Sequence, residues 1–373
     1  MKFNAKKLTG ATMCGLLATI ALVSCGSKES AVGWAEGTST ETIIKEAYEA
    51  NKLGNWGLGN EYEIYALEQK YGLEPKYATQ GFDMSQFDDD ELTVASVMTY
   101  NELGLTKNSY SDTCLGLDGK VGVIDMNEEG VAMLEDSIIC TSSFATANPY
   151  TVKAFLYASI KGWAYACDNT DEAAQICVDA GASSLDHQKY MATEMASACK
   201  KDTTGATVKV DLTQRTAALE NTLSQAKTYV ANALTDKTAK TKLANMELTD
   251  FVDSSYLEAV QGDDVTAESI KSALTASGNK TNVKMQLKWL PQAQFMGFYV
   301  AEAKGYFEEV GLNVTLLTQS GDITETNYVN EGNADFGHTW VSSTIAANAG
   351  GAELIQVGQI TQRSCLQLVY KYK

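Results

Sequence analysis

The sequence predicts an α/β protein of two lobes, and two observations carry this prediction. The chain has 373 residues, enough for two domains of ordinary size with substantial cores. Short β-rich runs alternate along it with amphipathic helical segments, a pattern typical of sheets covered by helices. Only 3 prolines and 29 glycines are present, which excludes collagen-like and low-complexity architectures.

The N-terminal half contains β-rich runs at 52–56 and 93–98, and a helix is predicted from Glu61 to about Tyr71. Asn148-Pro149 is a typical helix start, with an asparagine cap and proline at the first helical position. Apolar residues then recur at spacings of three and four, so we expect Trp163 to lie in the core. Residues 212–246 have the composition of long helices.

The C-terminal part begins with a polar connector at 263–281, which contains a short helix predicted at 266–276. A β-α-β unit follows, with strands at 285–289 and 312–317 and a helix at 295–304. The segment from Trp289 to Phe295 leaves the carboxyl end of the first strand. In open α/β sheets ligands bind at such ends, so a ligand site is expected there.

Charge and composition narrow the function. The chain has 29 Lys+Arg against 47 Asp+Glu and a net charge of −18, which argues against nucleic acid as a partner because phosphate binding needs a basic surface. His187 and His338 are the only histidines, too few for a histidine-rich metal site or a histidine-based triad. Arg215 and Arg363 are the only arginines, which disfavours an anion site. We expect no metal, no cofactor and no enzymatic activity.

The first 25 residues predict the location of the protein. Lys2, Lys6 and Lys7 precede an apolar run at 11–23, which is too short to span a bilayer and is typical of a secretory signal. Residues 22–27 resemble the lipobox of bacterial lipoproteins, so 1–24 is expected to be a signal peptide and Cys25 the lipidated N-terminus. Removal of three lysines would change the net charge from −18 to −21. A plain secretory signal is the alternative.

This location is extracytoplasmic, with the protein anchored to the cell membrane by a lipid on Cys25. Residues 25–40, including Trp34, are expected to form a tether. Export permits disulfides, but the six remaining cysteines include no CxxC pair, and no particular bridge is predicted.

Several motifs over 284–370 closely resemble one family of bacterial ABC-transporter solute-binding proteins. They lie at 288–301, 304–307, 311–314, 320–323, 334–340 and 357–362. The family includes binders of thiamine pyrimidine precursors and of riboflavin, and is related to nitrate, sulfonate and taurine binders. The resemblance implies an α/β, bilobal type II periplasmic-binding-protein fold, with two parallel or mixed-sheet lobes around a central cleft.

The order of the two halves is reversed relative to that family. Segments at 54–61, 80–84, 98–102, 130–136, 154–166 and 250–259 resemble its second half but come first here. We infer a circular permutation, with 263–281 joining the ancestral ends; a shuffled fragment that cannot fold alone is the alternative. The smaller lobe is then expected at 41–135, with 136–262 and 282–373 forming the larger lobe. One covalent hinge near 134–140 would join them and permit unusual interlobe freedom.

The resemblance places a cleft between the lobes. Its expected ligand-binding residues are Trp56, Asn60, Glu61, Tyr100, Asn101, Glu102, Trp289, Gln294, Phe295, Asp322, Trp340 and Gln362. The aromatic side chains suit a flat heterocycle, and the polar ones supply donors and acceptors to its edges. His338 is expected to be a hydrogen-bonded neighbour rather than a metal ligand.

The expected function is that of a substrate-binding lipoprotein of an ABC importer. It would capture a small heterocycle, such as a thiamine pyrimidine precursor or riboflavin, by closure of two lobes. Binding of nitrate, sulfonate or taurine is the alternative. A thiamine-pyrimidine-synthesis enzyme of the same fold and a sensor lipoprotein are less favoured. The expected partners are the small molecule, the cognate permease and the membrane, with the protein itself a monomer.

Overall fold

The computed structural model describes residues 32–57, 59–319 and 324–373. The strands are β1 (Gly54–Asn55), β2 (Ala78–Thr79), β3 (Val94–Met98), β4 (Val121–Asp125), β5 (Asp136–Thr141), β6 (Asn282–Gln286), β7 (Asn313–Leu317), β8 (Phe336–Trp340), β9 (Leu354–Gln359) and β10 (Leu366–Lys371). The predicted signal peptide at 1–24 and the lipidation site Cys25 lie outside the described residues.

The helices connect and cover these strands. They are α1 (Thr40–Glu49), α2 (Glu61–Lys70), α3 (Ser85–Asp88), α4 (Glu102–Lys107), α5 (Ser142–Ala147), α6 (Pro149–Asp168), α7 (Thr170–Asp179), α8 (Leu185–Lys200), α9 (Thr216–Ala233), α10 (Lys237–Ala244), α11 (Ser255–Glu258), α12 (Ala267–Ser277), α13 (Met296–Ala303), α14 (Tyr306–Glu309), α15 (Glu325–Asn330) and α16 (Val341–Ala349). None of these helices combines the length and the apolar character that a membrane crossing requires.

The larger lobe is built on a five-stranded mixed sheet with the strand order β7-β6-β8-β5-β9. β6 runs parallel to β7 and β8, whereas β5 is antiparallel to β8 and β9. The β-α-β unit predicted from the sequence is confirmed by β6, α13 and β7. β5 comes from the N-terminal half of the chain and lies between two strands of the C-terminal half, so the sheet needs both halves.

The smaller lobe is built on a three-stranded antiparallel sheet with the order β3-β10-β4, accompanied by the short parallel pair β1-β2. The assignment of all of 282–373 to the larger lobe is therefore wrong for β10. Leu368 pairs with Ser96 on one side and Ile124 on the other. The sequence of β10 predicts a buried apolar strand, but it does not indicate which sheet this strand joins.

Two segments of chain connect the lobes. One leads from β4 to β5 and the other from β9 to β10. The expectation of a single covalent hinge near 134–140 is therefore wrong, because the C-terminal strand returns to the smaller lobe. The reason for expecting unusually large interlobe freedom is removed with it.

The chain near Trp34 is bound to the C-terminal residues rather than forming a free tether. The Trp34 N–H donates to the carbonyl of Lys371 at 3.1 Å, and the Lys373 N–H donates to the carbonyl of Trp34 at 3.0 Å. The indole N–H of Trp34 also donates to Glu46 Oε2 at 2.7 Å. The beginning and the end of the described chain thus lie side by side in the smaller lobe.

Helices α6 and α13 of the larger lobe pack closely against each other. α6 begins at Pro149 as predicted, and Trp163 is fully buried, which confirms its expected place in the core. A Cβ at Gly162 would overlap the carbonyl oxygen of Gly297, and a Cβ at Gly297 would overlap the Trp163 ring. Glycine is therefore required at both positions for the two helix backbones to approach so closely. The six cysteines of the described residues are free thiols.

Candidate functional site

A cavity of about 340 Å³ lies between the two lobes. Its volume is in the range of small-molecule sites. Five aromatic side chains from the two lobes line it together with polar and aliphatic residues. Eight of the twelve predicted ligand-binding residues line it: Trp56, Asn60, Tyr100, Asn101, Glu102, Trp289, Gln294 and Trp340.

The wall from the smaller lobe comes from two turns at strand ends. Trp56 follows β1, and its indole N–H donates to the carbonyl of Gly81 at 2.8 Å, which fixes the ring. Tyr100, Asn101 and Glu102 follow β3 at the start of α4. The Glu102 carboxylate accepts from the Met98 N–H at 3.0 Å and from the Asn101 side-chain amide at 2.7 Å.

The wall from the larger lobe follows the carboxyl ends of two parallel strands, where α/β folds place ligands. Trp289 lies beyond β6, and Trp340 ends β8. The ammonium of Lys288 lies over the Trp340 ring, 4.2 Å from the ring centroid. That ammonium also pairs with Glu325 at 2.9 Å. Burial acts to raise the pKa of Glu325, but the Lys288 charge and a hydrogen bond from Thr339 hold it below its usual value.

A buried carboxylate, Asp136, organises this wall from behind. It accepts from the Trp340 indole N–H at 3.0 Å and from the Gln294 amide at 3.1 Å. Gln294 in turn accepts from the Gln292 amide at 2.7 Å. Gln294 therefore lines the cavity with its amide already bound to Gln292 and Asp136.

Asn60 differs from its neighbours because its side-chain amide makes no hydrogen bond to the described residues. It precedes α2 without capping it, and it is 3% exposed. Neither its Oδ1 nor its Nδ2 has a hydrogen-bond partner in the part of the chain that the structure describes. A buried amide without partners is costly to the folded protein, so a ligand edge that pairs with both atoms would be favoured.

One glutamate lines the cavity and a second lies beside it, and burial shifts the pKa of both. Burial raises the pKa of Glu102 to about 7. Burial also raises the pKa of Glu61, while the backbone N–H groups of Glu61 and Gly59 and the ammonium of Lys288 act in the opposite direction. Glu102 is therefore a lining carboxyl group with a pKa near neutral pH.

Four predicted site residues are not placed in the cavity lining. Phe295 is fully buried and packs edge-on against His338 at 4.8 Å between ring centroids. Gln362 donates to the carbonyls of Thr213 and Gln359, behind the site. Glu61 lies beside the cavity with its carboxylate on the Gly59 N–H at 2.7 Å. Asp322 lies outside the described residues.

His338 does not make the hydrogen bond expected of it. The ring is fully buried, its Nε2 lies 3.5 Å from Asp136 Oδ2, and neither ring nitrogen has a hydrogen-bond partner among the described residues. Within those residues no cluster of three or more His, Cys, Asp or Glu side chains is arranged to hold a metal ion.

Sequence reasoning missed several lining residues at the mouth of the cavity. Phe82 and Leu290 are 68% and 65% exposed, large fractions for apolar side chains. Phe82 meets the Trp289 ring edge-on at 5.6 Å across the cleft. Both residues belong to segments already noted for their resemblance, so an aromatic side chain after Gly81 was the available signal. Other missed lining residues are Gly57, Met98, Gln292 and Gln319.

The turn before α2 closes against the opposite lobe. The Ser342 hydroxyl donates to the carbonyl of Gly59 at 2.8 Å. Gly59 has φ of +110°, and a Cβ there would overlap the Ser343 hydroxyl and press on the Trp340 ring. The structure therefore has the lobes in contact beside the cavity.

Comparisons with known proteins match the chain to one protein family and to relatives that are named as enzymes. The NMT1/THI5-like family model matches residues 48–173 and 292–373, more than half of the chain. This family includes solute-binding proteins of ABC importers for pyrimidine precursors and for anions. The chain is also similar to three yeast proteins, THI5, THI11 and THI13 of Saccharomyces cerevisiae, each named 4-amino-5-hydroxymethyl-2-methylpyrimidine phosphate synthase.

Each of these similarities is 27% identity over 84 residues, which is 22% of this chain. The chain spans a quarter of the length of these relatives, because the match covers 25% of each. These names contradict the expectation of no enzymatic activity, since the relatives are named as synthases. The aromatic interlobe cavity and the family match lead to one conclusion: the chain belongs to the NMT1/THI5-like family.

Proposed function

We propose that this protein captures a small, flat heterocycle, with a thiamine pyrimidine precursor as the first candidate and riboflavin as the second. The observation that carries the proposal is the cavity itself, whose lining includes aromatic rings of both lobes and Asn60, whose amide has no partner among the described residues. Aromatic walls favour stacking of a planar ring, and an amide pairs with the donor and acceptor on its edge.

The charges of the site favour a neutral or weakly cationic heterocycle over an anion. Among the described residues that line the cavity none is lysine or arginine, and Glu102 is acidic. Lys288, which lies behind Trp340, is engaged by Glu325. A taurine, sulfonate or nitrate site would need an available cation or a cluster of N–H groups directed at the ligand.

Binding is tested by thermal shift and native mass spectrometry on residues 26–373. The probes are 4-amino-5-hydroxymethyl-2-methylpyrimidine, riboflavin, taurine and nitrate. We expect a rise in melting temperature with a heterocycle, and its loss in Trp289→Ala but not in Trp34→Phe. Binding of the anions alone would contradict the proposal. Because relatives are named as synthases, mass spectrometry of the same incubations also reports any chemical change of the probe, which would extend the function to catalysis.

The proposed setting is an importer. The family match supports delivery of the bound solute to an ABC permease, and the lipobox-like segment supports a lipid anchor on Cys25. The anchor is tested by palmitate labelling in a bacterial host, with Cys25→Ala as the control. Labelling that persists in Cys25→Ala would contradict it.

We also propose that the chain is circularly permuted. The interleaving of β5 between β8 and β9 supports this, as does the contact of Asn279 with α6 at the connector, where its Oδ1 accepts from the Tyr150 N–H at 3.0 Å. A variant in the family order would run from Asn282 to Lys373, continue through a Gly-Ser linker of about six residues, and then run from Gly33 to Gly278. It should fold and melt as the natural order does. Failure to fold, with a scrambled linker control also tried, would contradict the permutation.

A further inference from the structure

We infer that the first half of α8 is an interlobe strap, in which His187, Gln188 and Tyr190 position the two walls of the cavity and hold the lobes together. α8 spans Leu185–Lys200 and packs on α6 and α7 of the larger lobe. It falls between the two segments that match the family.

His187 connects the strap to the smaller lobe. Its Nε2 lies 2.7 Å from Asn101 Oδ1, and its Nδ1 lies 2.6 Å from the Tyr110 hydroxyl. Asn101 Oδ1 can only accept, so Nε2 carries the proton and Tyr110 donates to Nδ1. Burial lowers the pKa of His187 to about 4, which keeps this neutral form at physiological pH.

The orientation of Asn101 extends this connection to the cavity wall. Its Nδ2 donates to Glu102 Oε1 at 2.7 Å, which fixes the amide with Oδ1 toward His187. Asn101 and Glu102 both line the cavity, whereas His187 does not. The histidine thus acts through a lining amide, and it is a positioning residue.

Tyr190 adds a second bond to the same turn of the smaller lobe. Its hydroxyl donates to the carbonyl of Thr99 at 2.7 Å. A Cβ at Gly104 would overlap the Tyr190 ring, so the strap and α4 are in close contact. The two bonds hold the start of α4, the segment that carries Asn101 and Glu102.

Gln188 ties the strap to the opposite wall. It is 1% exposed, and its Oε1 accepts from the backbone N–H of Ala293 at 2.7 Å. Ala293 lies between the lining residues Gln292 and Gln294. Neighbouring side chains of one helix turn therefore hold both walls from outside the cavity, and loss of either connection should let the walls move apart.

The strap is tested first without ligand, so that its outcome does not depend on the proposed function. Hydrogen exchange is measured on the full mature chain for His187→Ala and Tyr190→Phe. Both should raise exchange in residues 98–107 at least threefold and increase the radius of gyration measured by X-ray scattering. Thr193→Ala, an exposed position on the same helix, is the matched control and should change neither.

Ligand affinity gives the second measurement, with 4-amino-5-hydroxymethyl-2-methylpyrimidine and riboflavin as probes. His187→Ala should weaken binding of the accepted probe by about tenfold, and His187→Gln, which keeps a donor toward Asn101, should recover most of it. Exchange unchanged in 98–107, or raised equally along the whole chain, would overturn the strap. If neither probe binds the natural protein, the proposed function fails while the exchange experiment still decides the strap.

Discussion

Trp340 donates its indole N–H to Asp136 at 3.0 Å, although the two residues are 204 positions apart in the sequence. The same carboxylate accepts from Gln294. Asp136 begins β5, the strand contributed to the larger sheet by the N-terminal half. One buried acceptor therefore fixes two side chains of the cavity wall and joins the two halves of the chain at the site.

Replacing Asp136 with asparagine should loosen this wall. Trp340 and Gln294 both donate to Oδ1, and the Gln294 amide also lies 3.2 Å from Oδ2, so the NH₂ group of asparagine would face the Gln294 donor in one orientation and both donors in the other. We expect a loss of roughly 1–3 kcal/mol in the free energy of unfolding, together with weaker ligand binding. Denaturant unfolding measures the first effect. Asp264→Asn, at an exposed position, is the control, and equal stability of the two variants would contradict the role of Asp136.

Asn60→Leu should weaken ligand binding without destabilising the protein. Its amide has no protein partner in the described structure, so its removal costs no hydrogen bond and relieves the desolvation of two polar atoms. Asn55 provides the matched contrast because its amide is also buried but donates to Ser96 Oγ at 2.9 Å and accepts from the Gly57 N–H at 2.8 Å.

Chemical denaturation should therefore show Asn55→Leu less stable by roughly 2 kcal/mol or more, and Asn60→Leu within about 0.5 kcal/mol of the natural protein or above it. Thermal shift with the accepted heterocycle should show at least a tenfold loss of affinity for Asn60→Leu. Undiminished affinity in that variant would contradict the assignment of Asn60 to the ligand.

Gly59→Ala should impair closure of the lobes more than its backbone strain alone explains. The position has φ of +110°, and an added Cβ would meet Ser343 and Trp340 across the cleft. Gly351 has the same φ of +110° with open space around it, so Gly351→Ala reports the backbone strain by itself. X-ray scattering should show a larger radius of gyration only for Gly59→Ala. The same radius in both variants would refute the contact as a determinant of closure.

The stability of the protein should fall as pH rises from 6.5 to 8.5. Burial raises the pKa of Glu68 to about 8 and that of Glu102 to about 7, whereas both ionise near pH 4.5 in the unfolded chain. The folded state therefore binds more protons, and this contribution is complete below pH 4.5 and lost as pH rises through 7 to 8. Burial also raises the pKa of Glu63.

Measurement above pH 6.5 separates the contribution of these carboxyl groups from that of His187. His187 has its pKa lowered to about 4 in the folded state, so its contribution acts only below pH 6.5, where stability falls as pH falls. Melting temperature across pH 6.5–8.5 measures the slope. Glu68→Gln should flatten it, whereas Glu268→Gln on the exposed surface should not. A flat dependence would show that these carboxyl groups are ionised in the folded protein, and a slope of the opposite sign would also contradict the prediction.

Local sequence signals predicted the elements well and their long-range pairing poorly. Asn148-Pro149 marked the start of α6, and the spacing of apolar residues placed Trp163 in the core, because both depend on neighbours within a few turns. The lobe of β10 was not predictable in this way. Its apolar residues are buried on both faces in either sheet, and the choice depends on partners more than 240 positions away.

For the site too, local signals placed some residues and long-range contacts placed others. Trp289 and Trp340 follow strand ends, and that position placed them correctly in the cavity lining. Phe295 and Gln362 occur in the same motifs, but packing against His338 and bonds to carbonyl groups turn them inward. Nothing local in the sequence indicates that Gln294 is engaged by a carboxylate 158 positions away, or that α8 reaches both walls.

The central place of β10 in the smaller sheet has a consequence for how the protein is made. β3 and β4 leave the ribosome before the strands of the larger sheet, but the strand that lies between them is synthesised after all of those strands. The lobe encoded first is thus completed last, after the larger lobe has its strands. A nascent chain that has not yet reached β10 has two strands with exposed edges and no strand between them, a state prone to aggregation.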